Sequence, residues 1–157
     1  MESILHLCEK HDLPRHRIES GTTVLREGEE GSTLFVLKQG GVRVLRDGIE
    51  LSVITYPGAL FGEISVLVGG AHMATVTTTE DSEFYIIQNA GDILEEHPEL
   101  GVPVAFVLAS RLKSVTFYLA GLEKEFGARE EKISMLNRAL MGSPREQSRP
   151  SEVSLPG

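Results

Sequence analysis

Two hydrophobic periods that meet near Gln88 constrain this chain more than any other feature. Before that point apolar and polar residues alternate: Val42 and Val44 flank Arg43, and Ile49, Leu51 and Val53 are interleaved with Glu50 and Ser52. A period of two places one face inward and one outward, the pattern of half-buried strands. Gly40-Gly41 and Asp47-Gly48 separate these runs, and because both pairs tolerate positive φ they are predicted to be two-residue hairpin turns. Gly28 and Gly31 mark another turn ahead of a strand at 34–37, and further strands are predicted at 74–79 and 84–87. Short strands at this spacing imply an antiparallel sandwich or roll.

The second period is helical. Ahead of the strands, residues 2–11 carry Ile4, Leu5, Leu7 and Cys8 on one stripe, closed by Pro14. Beyond Gln88, residues 90–96 read as a short helix, and Pro98 followed by Glu99 as the first turn of a longer one. Along that helix Leu108, Leu112, Val115, Leu119, Leu122 and Phe126 recur at steps of four and three, a heptad seam that calls for a partner. Gly101 and Pro103 near its start are expected to bend or loosen it. Gly127 ends the seam. Residues 129–141, with Ile133, Leu136 and Leu140 on one side, suit a short amphipathic helix, and the Ser-, Pro- and Arg-rich residues 142–157 are expected to form a disordered tail. The expected division is thus 1–126, 127–141 and 142–157.

Bulk properties exclude several classes. At 157 residues and 17.2 kDa one core is expected. A net charge of -8 and a pI near 5.1 argue against nucleic-acid or anionic-membrane surfaces. Cys8 is the one cysteine, so no internal disulfide forms; a packed thiol in a reducing cytoplasm is expected. No run is read as reaching membrane length, and the N-terminus lacks a signal-peptide layout.

Residues 61–76, FGEISVLVGGAHMATV, carry the chemistry. A glycine turn that opens a short helix presents unpaired backbone N–H groups where the partial positive charge favours an anion, which makes Gly62 a phosphate seat. Glu63 cannot hold phosphate, but as an acceptor it can bind sugar hydroxyls. Phe61-Gly62-Glu63 at one end and Ala74-Thr75-Val76 at the other, at this spacing, resemble the phosphate-binding cassette of cyclic-nucleotide-binding domains. The segment 28–45, GEEGSTLFVLKQGGVRVL, resembles that family's first hairpin region, so the likeness covers most of residues 4–126. It implies a mainly β fold with flanking helices: a cupin-like antiparallel β-roll, or double-stranded β-helix, followed by a long C-terminal helix.

The resemblance further implies a ligand site of Gly62, Glu63, Ile64, Ser65, His72, Met73, Ala74 and Thr75, with Glu63 on the ribose 2'-hydroxyl. Here the sequence departs from the family. His72 stands where the family has its phosphate-gripping arginine, and Met73 where a small or hydroxylated residue is usual. A guanidinium gives bidentate charged hydrogen bonds; a histidine of ordinary pKa, about 6.5, is mostly neutral at pH 7 and offers one donor. The loss of roughly 1.5 to 3 kcal/mol corresponds to about one to two decades of affinity. Residues 110–119, SRLKSVTFYL, resemble the helix by which catabolite-activator-type proteins dimerise and cover bound cyclic AMP, with Thr116 at the base-contacting position and Arg111 as nearby charge.

Catalysis is not expected. Metal-binding cupins need a His-x-His pair with a Glu and a further His converging across the barrel. His6, His11 and His16 precede the strand region and His97 follows it, so no metal site is expected, and His6 and His97 read as solvated or capping residues. No serine, cysteine or lysine sits in a nucleophile motif. The expected function is a stand-alone cytoplasmic sensor of a small anionic ligand, cyclic AMP first. It pairs as a homodimer through Leu108, Leu112, Val115, Leu119 and Leu122 and acts on an unidentified effector, with no nucleic acid or membrane as partner and no further cofactor. The alternative is a ligand-free β-roll that serves as a protein-interaction module.

Overall fold

The computed structural model describes residues 1–126 and 130–141. Two compact units are distinguished, Met1–Arg111 and a second that starts at Leu112. The first contains the roll. Its elements run α1 (Ile4–Lys10), β1 (Arg15–Ile18), β2 (Thr23–Leu25), β3 (Leu34–Gln39), β4 (Val42–Arg46), β5 (Ile49–Ile54), β6 (Leu60–Phe61), α2 (Glu63–Val68), β7 (Thr75–Thr78), β8 (Ser82–Ile87) and α3 (Ala90–Glu96). A 3-10 turn, Pro98–Leu100, then leads into α4 (Gly101–Phe126), which crosses from the first unit into the second. α5 (Glu130–Leu140) follows in the second.

Two four-stranded antiparallel sheets, ordered β1-β8-β3-β6 and β2-β7-β4-β5, form the roll. Strand alternation divides the core in two. On β3 and β8, Leu34, Val36, Tyr85 and Ile87 face α1 and the helices after β8, packing with Leu7, Cys8 and Leu100. From the same strands Phe35, Leu37, Phe84 and Ile86 join the second cluster with Val42, Phe61 and Val76 of the roll interior. Successive side chains point to opposite faces, so strands buried on both sides read as unbroken apolar runs such as LFVL and FYII. Cys8 is fully buried, as its helical stripe requires.

Several local expectations need correction. Asp47 and Gly48 have φ of 50° and 74° and close the β4–β5 hairpin, where Arg46 pairs with Ile49. Gly40-Gly41 is not a hairpin: β3 and β4 belong to different sheets. Gly40 serves instead as a crossing point at φ 104°, where an added Cβ would lie 2.7 Å from the Ser82 Cα. The alternating apolar residues of β5 are not half-buried, since Ile49, Leu51 and Val53 lie on an edge strand and are exposed. The sequence pattern predicts neither β1 nor β2. β1 reads RHRI and is largely exposed, so it offers no alternation signal.

Pro98 opens a separate 3-10 turn rather than the first turn of the long helix, and α4 begins at Gly101, with Pro103 tolerated in its first turn. The expectation that no segment reaches membrane length also fails. Residues Pro98–Glu125 are long and apolar enough to cross a membrane by length and composition. Val102, Phe106, Phe117 and Tyr118 on this helix are exposed and lie outside the heptad positions. In the second unit Leu112 and Val115 are exposed and Leu119 and Leu122 half-buried. Gly127 and the tail at 142–157 lie outside the described residues.

Candidate functional site

The turn before α2 is determined by one close approach. Pairing of Phe35 with Phe61 and Val36 with Leu60 brings the end of β6 alongside the start of β3. Gly62 follows at φ 86°, and a Cβ there would lie 2.4 Å from the Thr33 carbonyl oxygen. Only glycine meets both conditions, the left-handed backbone and the missing side chain. Gly62 caps α2, whose first N–H groups lack intrahelical partners by geometry, and Gly69 ends it by donating its N–H to Ser65 O at 3.0 Å.

Glu63, in the first turn of α2, is 3% exposed. A carboxylate this buried requires a charged or hydrogen-bonding partner, and Arg111 on α4 supplies it. Nη1 of Arg111 donates to Glu63 Oε1, and Nη2 donates to the Leu60 carbonyl at 2.6 Å. One guanidinium thus ties the end of β6, the start of α2 and the first half of α4 together. The Arg111 side chain is 37% exposed, so the pair has one dry partner and one wet one.

His72 is held at three points. Its N–H donates to Glu29 O at 2.8 Å, and its carbonyl accepts from Gly28 N at 2.9 Å. Its Nδ1 lies 3.0 Å from the Ser65 hydroxyl, while its Nε2 edge faces Gly31, where an added Cβ would approach to 2.9 Å. The imidazole is therefore a strut between α2 and the β2–β3 loop, and Gly31 makes room for it. Neither this role nor the Arg111–Glu63 pair is signalled by residue spacing.

These groups border a cavity of about 240 Å³. Its apolar wall includes Leu25, Val44, Ile54, Phe61 and Val76. Its polar side brings together Gly62, Glu63, Ile64 and Ser65 with His72, Met73, Ala74 and Arg111, eight of the ten residues expected at the site. The other two are not among its lining residues. Thr75 Oγ1 accepts the Glu27 N–H at 3.0 Å, a contact that joins β7 to the loop after β2. Thr116 belongs to the second unit, where its hydroxyl donates to Leu112 O at 2.8 Å. The volume is slightly below the roughly 300–1,000 Å³ of ordinary small-molecule sites. Among the lining residues Arg111 is the one guanidinium, and Glu63 already engages it. The arrangement can accept a hydroxyl at the carboxylate and an anion near the α2 turn, provided that Arg111 shares its contacts.

A family model described as the cyclic nucleotide-binding domain matches residues 15–92. The CRP-like cAMP-activated global transcriptional regulator of Mycobacterium tuberculosis is 34% identical over 119 residues, which make up 71% of this chain and 50% of that protein. Mouse patatin-like phospholipase domain-containing protein 7 is 26% identical over 121 residues, 70% of this chain and 9% of that protein. The chain thus spans half or less of the length of these relatives. The crystal structure of Thermus thermophilus catabolite activator protein superposes with a TM-score of 0.63 at 27% identity, covering 76% of this chain and 59% of that one.

Proposed function

Since residues 15–92 belong to the cyclic nucleotide-binding domain family, we propose that the cavity beside α2 takes a cyclic nucleotide, cyclic AMP first, and that the chain is a cytoplasmic sensor rather than a catalyst. The observation that carries this reading is the meeting of Gly62, Glu63, His72 and Arg111 around one cavity. The cyclic phosphate sits over the α2 turn, where backbone N–H groups favour an anion, and His72, whose Nδ1 is shared with the Ser65 hydroxyl, borders the same cavity. The ribose 2'-hydroxyl donates to Glu63. To do so it exchanges with, or joins, the Arg111 guanidinium, so occupancy is felt directly by α4. That helix carries the seam through which a homodimer forms and an effector protein is addressed. The regulator of M. tuberculosis that shares half its length with this chain is cAMP-activated by name, which supports the choice of ligand.

Calorimetric titration with cyclic AMP and cyclic GMP tests the reading. A His72→Arg, Met73→Ser variant should bind cyclic AMP more tightly than the parent. The charged contact contributes roughly 1.5 to 3 kcal/mol, which corresponds to about one to two decades of affinity. If that variant, folded by circular dichroism, ignores both nucleotides at millimolar concentration, the sensor reading fails. The roll is then an interaction module, a reading favoured by the fact that Arg111 already satisfies Glu63 within the chain.

A further inference from the structure

Apart from the residues that line the cavity, α1 and the turn after α3 bring His11 together with His97 and Glu99, which lie more than eighty residues further along the chain. His11 is the C-cap of α1, and its N–H donates to Leu7 O at 3.0 Å. His97 is the C-cap of α3, and its N–H donates to Ile93 O at 2.9 Å. Glu99 lies two residues on, in the 3-10 turn that Pro98 opens. Each ligand-bearing backbone is thus fixed by a cap or a turn. The imidazole rings of His11 and His97 lie 4.2 Å apart between centroids. One ligand atom from each of the three residues falls within 4.8 Å of the others.

The contact between His11 and Glu99 calls for positive charge between or beside the two groups. Nε2 of His11 is buried and has no hydrogen-bond partner, yet it lies 2.7 Å from Glu99 Oε1. The distance is that of an ion pair. A lone pair facing a carboxylate oxygen so closely is repulsive unless positive charge lies between or beside them. A proton on Nε2 is one solution. A divalent ion bound to both atoms is the other. Metal–ligand bonds of about 2.0–2.1 Å in a tetrahedron set ligand atoms about 3.4 Å apart, a value between the 2.7 Å of the His11–Glu99 contact and the 4.8 Å within which all three ligand atoms fall. Two imidazoles with one carboxylate suit zinc and its borderline neighbours. Calcium and magnesium want cages of oxygen instead.

We propose that His11, His97 and Glu99 form a binding site for a zinc-class divalent cation, with the fourth position open to water, which fastens the end of α1 to the turn that introduces α4. The site is separate from the cavity beside α2 and stands whether or not a nucleotide binds there. Isothermal titration of chelator-treated full-length protein with zinc chloride should give one equivalent bound. His11→Gln and His97→Gln should each weaken it at least tenfold, since disturbing groups one shell further out already costs tenfold or more. His6→Gln and His16→Gln should leave it unchanged. Cobalt(II) added to the isotopically labelled parent should broaden amide resonances around residues 11, 97 and 99 first, a readout that does not depend on the variants folding. No binding below millimolar zinc, broadening centred elsewhere, or full retention of affinity in a folded His11→Gln, His97→Gln double variant would overturn the proposal and leave the contact a protonated His11–Glu99 pair.

Discussion

Replacement of Arg111 by methionine tests whether the guanidinium stabilises the roll as well as bordering the cavity. The substitution keeps helix propensity and stem volume and removes the charge. It leaves the Glu63 carboxylate, 4% exposed in its side chain, without the cation that offsets its desolvation, and it leaves the Leu60 carbonyl without its donor. Breaking a fully buried pair in this way costs about 3–5 kcal/mol. Because the Arg111 side chain is 37% exposed, water at the vacated position recovers part of that cost, and about 2–4 kcal/mol is expected. With a urea slope of about 2 kcal/mol per molar, the middle of the usual range, the unfolding midpoint should fall by about 1–2 M. Glu63→Gln alone should cost less, since an amide tolerates burial better than an unpaired charge. The double variant should be more stable than the sum of the singles predicts, giving a coupling of at least about 1 kcal/mol. An Arg111→Met protein within about 0.5 kcal/mol of the parent, the size of an ordinary surface substitution, refutes the reasoning: Glu63 would then be hydrated, and the cavity would have no guarded polar end.

The sequence made legible whatever is decided within about ten residues. The Asp47-Gly48 turn follows from two residues that accept positive φ between alternating strands, and α3 from the short run ahead of Pro98. Gly62 was identified by its motif, although the physical reason for the glycine, the approach of the Thr33 carbonyl, lies across the sheet. Gly40-Gly41 carries the same local signal as a hairpin turn. It differs because β3 pairs with β6 and β8 while β4 pairs with β5 and β7, and no local pattern encodes that partition. The site divides in the same way. Glu63 and Arg111 were both singled out as contacts for a ligand, but their mutual ion pair joins residues 48 apart and changes what each has to offer. Thr75 read as part of the cassette because it completes the motif, yet its hydroxyl is used by the Glu27 amide. His11 and His97 each looked unremarkable in the chain; only the packing of α1 against the turn after α3 makes them neighbours.

Two further outcomes are expected. Light scattering at tens of micromolar, roughly a hundredfold above a moderate Kd, should show a dimer for the parent and a monomer with an intact roll for Leu112→Glu, Leu119→Glu; a monomeric parent would remove the seam from the proposed mechanism. The last expectation concerns Cys8, whose thiol is pushed up from 9.0 to about 12, first by burial and then by the neighbouring Glu9 carboxylate. The thiolate is the reactive form, so a disulfide reagent at pH 8 should modify the native protein far more slowly than the protein in urea. The same shift sets the sign of a pH effect. Folding keeps the proton that the unfolded thiol releases near pH 9, so this contribution to stability is complete below pH 9 and declines as the pH rises toward 12. Cys8→Ser should reduce that alkaline decline, because a hydroxyl does not titrate in the range. Native Cys8 that reacts as fast as the unfolded thiol, or an alkaline decline unchanged in the serine variant, would mean that α1 opens readily from the sheet and that the packing of Leu7 and Cys8 does not hold it there.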